Sequence, residues 1–130
     1  MLNSIDLSKY RDLAMFLLRL IIASIFLAAA RSKLMFWSPL PEGMAMSAGM
    51  VNLMKFLMVA EAVGGVALII GFLTRWAALG LGIIMLGAIA FTWSMGFMTA
   101  SGPGWSFPLM ILAGCIVLIV YGGGKWSVRR

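Results

Sequence analysis

Four long apolar stretches run along the chain, separated by short breaks rich in glycine, proline or basic residues. The first extends from about Leu13 to Leu34 and is interrupted by Arg19, Arg31 and Lys33. Residues 38–50 (SPLPEGMAMSAGM) carry Pro39, Pro41, Gly43 and Gly49, so they read as a connecting loop. The second stretch covers about Val51 to Phe72, with Lys55 near its start and Glu61 near its middle. Only Leu73, Thr74 and Arg75 separate it from the third, about Trp76 to Met98. The charge-free segment TASGPG then leads to a fourth, about Trp105 to Tyr121, and the basic tail GGGKWSVRR follows. Crossing a bilayer core at 1.5 Å per residue takes about twenty apolar residues. The pattern therefore predicts one all-α integral membrane domain, an antiparallel four-transmembrane-helix bundle, because turns this short force neighbouring helices to run up and down. The predicted helices are about 13–34, 51–72, 76–98 and 105–121.

Trp37, Trp76, Trp105 and Trp126 fall at or just beyond the span ends, where interfacial aromatic residues belong. Small residues recur at four-residue spacing in Ser24 and Ala28, Ala60 and Gly64, Ala67 and Gly71, and Ala78 and Gly82, which lets helices approach closely. Counting basic residues places Lys9, Arg11, Arg75, Lys125, Arg129 and Arg130 on one side, against Arg31, Lys33 and Lys55 on the other. That bias predicts both termini in the cytoplasm. The N-terminal run ending in Ala28-Ala29-Ala30 imitates a cleavable signal, but Arg19 lies inside it and the segment is long enough to span, so it is read as a retained first helix.

Composition agrees with a lipid environment: 63% of the 130 residues are apolar, 11% are charged, and the mean hydropathy is +1.07. It also narrows the chemistry. There is no histidine, and Cys115 stands alone, so an intrachain disulfide is impossible and the usual ligand sets of zinc, haem and iron–sulfur centres are missing. The twelve methionines are scattered, as expected of adaptable packing and not of a copper relay. The net charge of +6 does not point to nucleic acid, because the basic residues sit near the ends of apolar segments, where a lipid surface accounts for them.

Glu61 is the most informative residue. A carboxylate near the bilayer midplane is costly, so it must face the bundle interior with a cation or take up a proton. Ala60, Gly64 and Gly65 beside it leave room for another helix. Arg19 is the expected partner, at a depth difference on the order of 8 Å by helical rise. Arg19, Phe26 and Lys33 repeat at seven residues and share a face, which sets Lys33 near the outer mouth of the same seam. Lys55 lies about 120° around the helix from Glu61 and is expected to snorkel to the outer surface. Two readings of the Arg19 and Glu61 seam stay open: an ion pair that fixes helix register, or a polar pocket that holds a ligand headgroup or passes a proton.

Leu18-Arg19-Leu20 with the apolar run to Lys33-Leu34, Glu61-Ala-Val-Gly64-Gly65, Gly71-Phe-Leu-Thr74-Arg75 and the tail Gly122-Gly-Gly124-Lys125-Trp126-Ser127 together resemble the DoxX family of small four-helix membrane proteins. The chain departs from the family pattern in having Arg129 where the tail often carries Asp, and Ala29 and Ala30 where a His-Gly pair is common. The resemblance implies a multi-pass protein of the bacterial or archaeal cytoplasmic (inner) membrane associated with quinone-linked oxidoreductase complexes. With no metal ligands or dithiol, the expected part is a non-catalytic subunit with no built-in cofactor, binding quinone or membrane lipid and supporting a redox partner protein. Arg19, Glu61 and Lys33 are the candidate ligand-binding groups, with Thr92 and Trp93 as further candidates from the third helix. The competing readings are a proton-coupled small-molecule exporter acting as a homo-oligomer and a structural or assembly factor.

Overall fold

The computed structural model describes residues 6–40, 43, 45–125 and 127–128. Pro41 and Glu42 of the first loop, and Trp126, Arg129 and Arg130 of the tail, lie outside the described residues. The helices are α1 (Arg11–Ser32), α2 (Ala48–Ile70), α3 (Thr74–Thr92) and α4 (Ser106–Tyr121), with single 3-10 turns at Ser8–Tyr10, Leu34–Trp37 and Trp93–Met95. Three of these segments, Ser8–Trp37, Ala48–Ile70 and Thr74–Met95, are long and apolar enough to cross a membrane. With 16 residues, α4 is shorter than that. It nevertheless runs back along the length of α3: Arg75 Nη2 donates to Val120 O at one end (3.4 Å), and Trp93 stacks on Trp105 at the other (4.8 Å between ring centroids).

The helix ends follow local chemistry. α2 begins earlier than the apolar pattern suggests because Ser47, in extended conformation, caps it by accepting from Met50 N (3.1 Å). It ends at Gly71, whose left-handed φ of +75° lets Phe72 N donate back to Ala67 O (2.9 Å). α3 stops at Thr92 and not at Met98, since the next residues tighten into a 3-10 turn and Gly96, at φ +96°, cannot continue a helix. Pro108 sits in the first turn of α4, where its missing N–H has no intrahelical bond to make.

Each helix is antiparallel to its neighbours, and small residues set the register. A side chain at Gly65 of α2 would meet Leu27 of α1 at 3.0 Å and Ala23 O at 3.4 Å, so this pair of helices touches almost backbone to backbone. Gly114 of α4 likewise lies against Ile22 of α1. Phe26, Leu68, Leu81, Cys115 and Leu118 fill the shared core. Of the four small-residue pairs, Ala78 and Gly82 are buried, with Gly82 facing Leu112 and Cys115 of α4, whereas Ser24 and Ala28 face outward. Ser24 uses its hydroxyl on Leu20 O of its own helix (2.7 Å).

The start of α1 and the described part of the tail meet on one face, here termed the terminal end. The glycine-rich tail folds back across it: Lys125 N donates to Asp12 Oδ1 (2.7 Å), Val128 N to Ile70 O (3.1 Å), and Ser127 Oγ to Gly124 O (2.7 Å). Arg19 is completely buried beneath this cover. Its guanidinium lies 5.3 Å from the Phe16 ring, and Nη1 occupies the place that a Cβ on Gly71 would need. Gly71→Ala is therefore expected to cost about 2 kcal/mol, from the left-handed backbone and the displaced Arg19. Gly80→Ala, inside α3 with a Cβ that would meet nothing within 4 Å, is expected to stabilise by about 0.5–1 kcal/mol. Unfolding of the two variants in the same detergent checks the contrast.

Candidate functional site

The opposite end of the bundle, where the 96–105 loop lies, holds a partly open cavity of about 640 Å³. Its wall is apolar on every helix. Ile25, Phe26 and Ala29 come from α1, Leu53 and Leu57 from α2, Ile84, Ala88 and Phe91 from α3, and Phe107, Pro108 and Ile111 from α4. Pro103 and Gly104 of the last loop close the rim. Lys33, Glu61 and Thr92 interrupt this wall with polar groups.

Glu61 is 3% exposed and Lys33 19% exposed, and Lys33 Nζ lies 3.1 Å from both carboxylate oxygens. The two elements that hold them explain the pairing. Lys33 ends α1 with a helical φ and ψ, so its side chain still follows the inward face set by Arg19 and Phe26. Glu61 stands one turn before Gly65, at the point where α2 comes closest to α1. Paired and facing the cavity, the two charges form a neutral unit, which lowers the cost of keeping either one away from water.

The expected partnership of Arg19 with Glu61 is corrected. Because Gly65 packs at the level of Ala23 and Leu27, Glu61 comes level with residues close to the end of α1, while Arg19 is drawn to Gly71. Gly71 is about 15 Å along α2 from Glu61 at 1.5 Å rise per residue. The apolar stretches, aligned by their midpoints, place Arg19 about one turn too close. Arg19 contributes to the terminal-end cover and does not line the cavity.

Thr92 lines the cavity, but its hydroxyl proton is given to Ala88 O (2.8 Å), so toward a ligand it can only accept. Trp93, the adjacent residue, points elsewhere: it is 62% exposed and stacks on Trp105, which Phe97 meets edge-on at 4.7 Å. Trp93 does not reach the wall that Thr92 lines, so the two do not serve one site. Lys55 also stays outside, with Nζ 5.1 Å above the Trp37 ring. The rim residues Pro103 and Gly104 read in the sequence only as part of a charge-free connection, and no local signal marks them as cavity wall.

The model of the DoxX family matches residues 14–95, well over half of the chain. The chain belongs to the DoxX family. The part of this DoxX protein that matches runs from α1 through the turn after α3 and includes Arg19, Lys33, Glu61, Thr92 and Trp93. No curated protein and no solved structure matches it. Together with its apolar helices, the family makes this DoxX chain a multi-pass membrane protein.

A double-mutant cycle distinguishes the two pairings. Lys33→Met and Glu61→Gln should couple by about 1–3 kcal/mol, because each leaves the other's charge buried alone. Arg19→Met and Glu61→Gln should add to within about 0.5 kcal/mol, as separated sites do. Coupling of the second pair, and additivity of the first, would reverse the assignment.

Proposed function

We propose that this DoxX protein is a non-catalytic membrane subunit that holds a quinone in the loop-end cavity and supports a redox partner protein in the cytoplasmic membrane. In this reading all four helices cross the bilayer, since α4 follows α3 over its length. The terminal end, with Lys9, Arg11, Arg75 and Lys125, faces the cytoplasm because basic residues favour that side. Lys33, Glu61 and Thr92 form the ligand-binding group; Arg19 supports the helix ends.

The observation that carries the proposal is the combination of an apolar-walled space with a single hydrogen-bonding ion pair at one side. Small-molecule sites pair large apolar contact area with a few placed polar groups, and 640 Å³ falls within their usual volumes. A quinone ring carbonyl can accept from Lys33, while the apolar wall accommodates the rest of the molecule. Thr92, committed as a donor to Ala88, does not compete for that carbonyl. A purely structural ion pair would leave the space around it filled by side chains.

Purification in native membrane nanodiscs followed by solvent extraction and mass spectrometry tests the proposal. The wild-type protein should retain quinone above the level of the surrounding lipid, and Glu61→Gln should lower retention about tenfold, corresponding to about 1.4 kcal/mol. Glu61→Gln that lowers thermal stability but keeps quinone at the wild-type level would reduce the pair to a register device. Binding of another small molecule that depends on pH, with no quinone retained, would favour the exporter reading.

A further inference from the structure

The cavity does not end at the helix bundle's surface. Phe56, Ile83 and Ile84 belong to its wall and also to the wall of a second, shallower hollow of about 540 Å³ on the outer face between α2 and α3. Phe56 and Ile83 are largely exposed, so the two spaces meet at a gap that faces lipid. From there the hollow follows the seam past Gly80 toward Trp76 near the terminal end, and every residue lining it is apolar. From Phe56 to Ala67 it extends on the order of 16 Å at the helical rise. The space beside Gly80 is open, since a Cβ there would have no neighbour within 4 Å.

Resting on the ligand-binding reading above, we infer that the ligand bears a long apolar tail, which leaves the cavity through the gap between α2 and α3 and lies along this seam. The charge at the head supports a neutral ring. Lys33 is already neutralised by Glu61, so an anionic phosphate head would have to break the ion pair or stay unpaired, whereas a carbonyl accepts from the lysine without disturbing the balance. The tail meets only apolar side chains on one side and lipid on the other, so its departure from the cavity exposes no polar group. Polyprenyl quinones combine these features. Head selectivity then belongs to the cavity and tail selectivity to the seam.

A short-tailed quinone analogue and its polyprenyl counterpart, each measured against the protein in nanodiscs, separate the two parts. Wild type should retain the polyprenyl quinone about tenfold more strongly. Gly80→Phe, and independently Val63→Trp on the facing helix, should bring the polyprenyl quinone down to the level of the short analogue, and leave the short analogue within about twofold. If both variants hold the polyprenyl quinone as wild type does, or weaken both quinones alike, the seam is not the tail's path and the cavity reading stands without it. If wild type retains neither quinone, the cavity reading falls and the tail with it. If the variants alter the oligomeric mass and leave both affinities unchanged, the seam seats a second copy of the chain and the inference is overturned.

Discussion

A carboxylate placed deep among lipid-facing helices has few stable solutions, and the one found here is a lysine that approaches both of its oxygens. That contact sets much of the rest. It requires α1 and α2 to pack with the end of α1 opposite the middle of α2, and Gly65 against Ala23 and Leu27 provides the close approach that makes this register possible. It also places a neutral but polarised pair on the wall of a space otherwise lined by aliphatic and aromatic side chains. An ion pair is stronger and more directional in such surroundings than in water, so the same burial that makes the residues costly strengthens their contact.

The two ends of the bundle divide the work. At the terminal end the tail, Asp12, Gly71 and the buried Arg19 lock the helices together through backbone and side-chain contacts. At the loop end the side chains leave a cavity in place of a filled core. The locked end and the cavity thus lie at opposite halves of the chain. The locked terminal end fixes the helices from which Lys33 and Glu61 project into the loop-end cavity.

The apolar helices and the inward, paired position of Glu61 were legible in the sequence because they depend on periodicity and on the cost of charge in lipid, both local properties. Lys33 could also be placed on the right seam, from its seven-residue spacing to Phe26 and Arg19. The partner of Glu61 could not be read, since an antiparallel register is set by which small residues touch, and a shift of about one turn replaces Arg19 by Lys33. Gly65 carries that information only once Leu27 is known to face it. The cavity was illegible for a similar reason: it is made by what Phe91, Phe107 and Pro103 leave unfilled, not by any residue type. Trp93 stood as a candidate ligand-binding group on the third helix, yet it stacks on Trp105 outside the cavity that its neighbour Thr92 lines.

Protection of an introduced thiol tests most directly whether the Lys33 and Glu61 pair forms the polar side of a ligand site. The native Cys115 is fully buried and gives a quiet background. Ala29→Cys lies in the cavity wall beside the pair, and Ala28→Cys lies outside it. Added quinone is predicted to slow alkylation by a membrane-permeant maleimide at Ala29→Cys about tenfold, to leave Ala28→Cys unchanged, and to lose its effect when Glu61→Gln is combined with Ala29→Cys. Equal alkylation with and without quinone at Ala29→Cys, or protection that survives Glu61→Gln, would contradict the account.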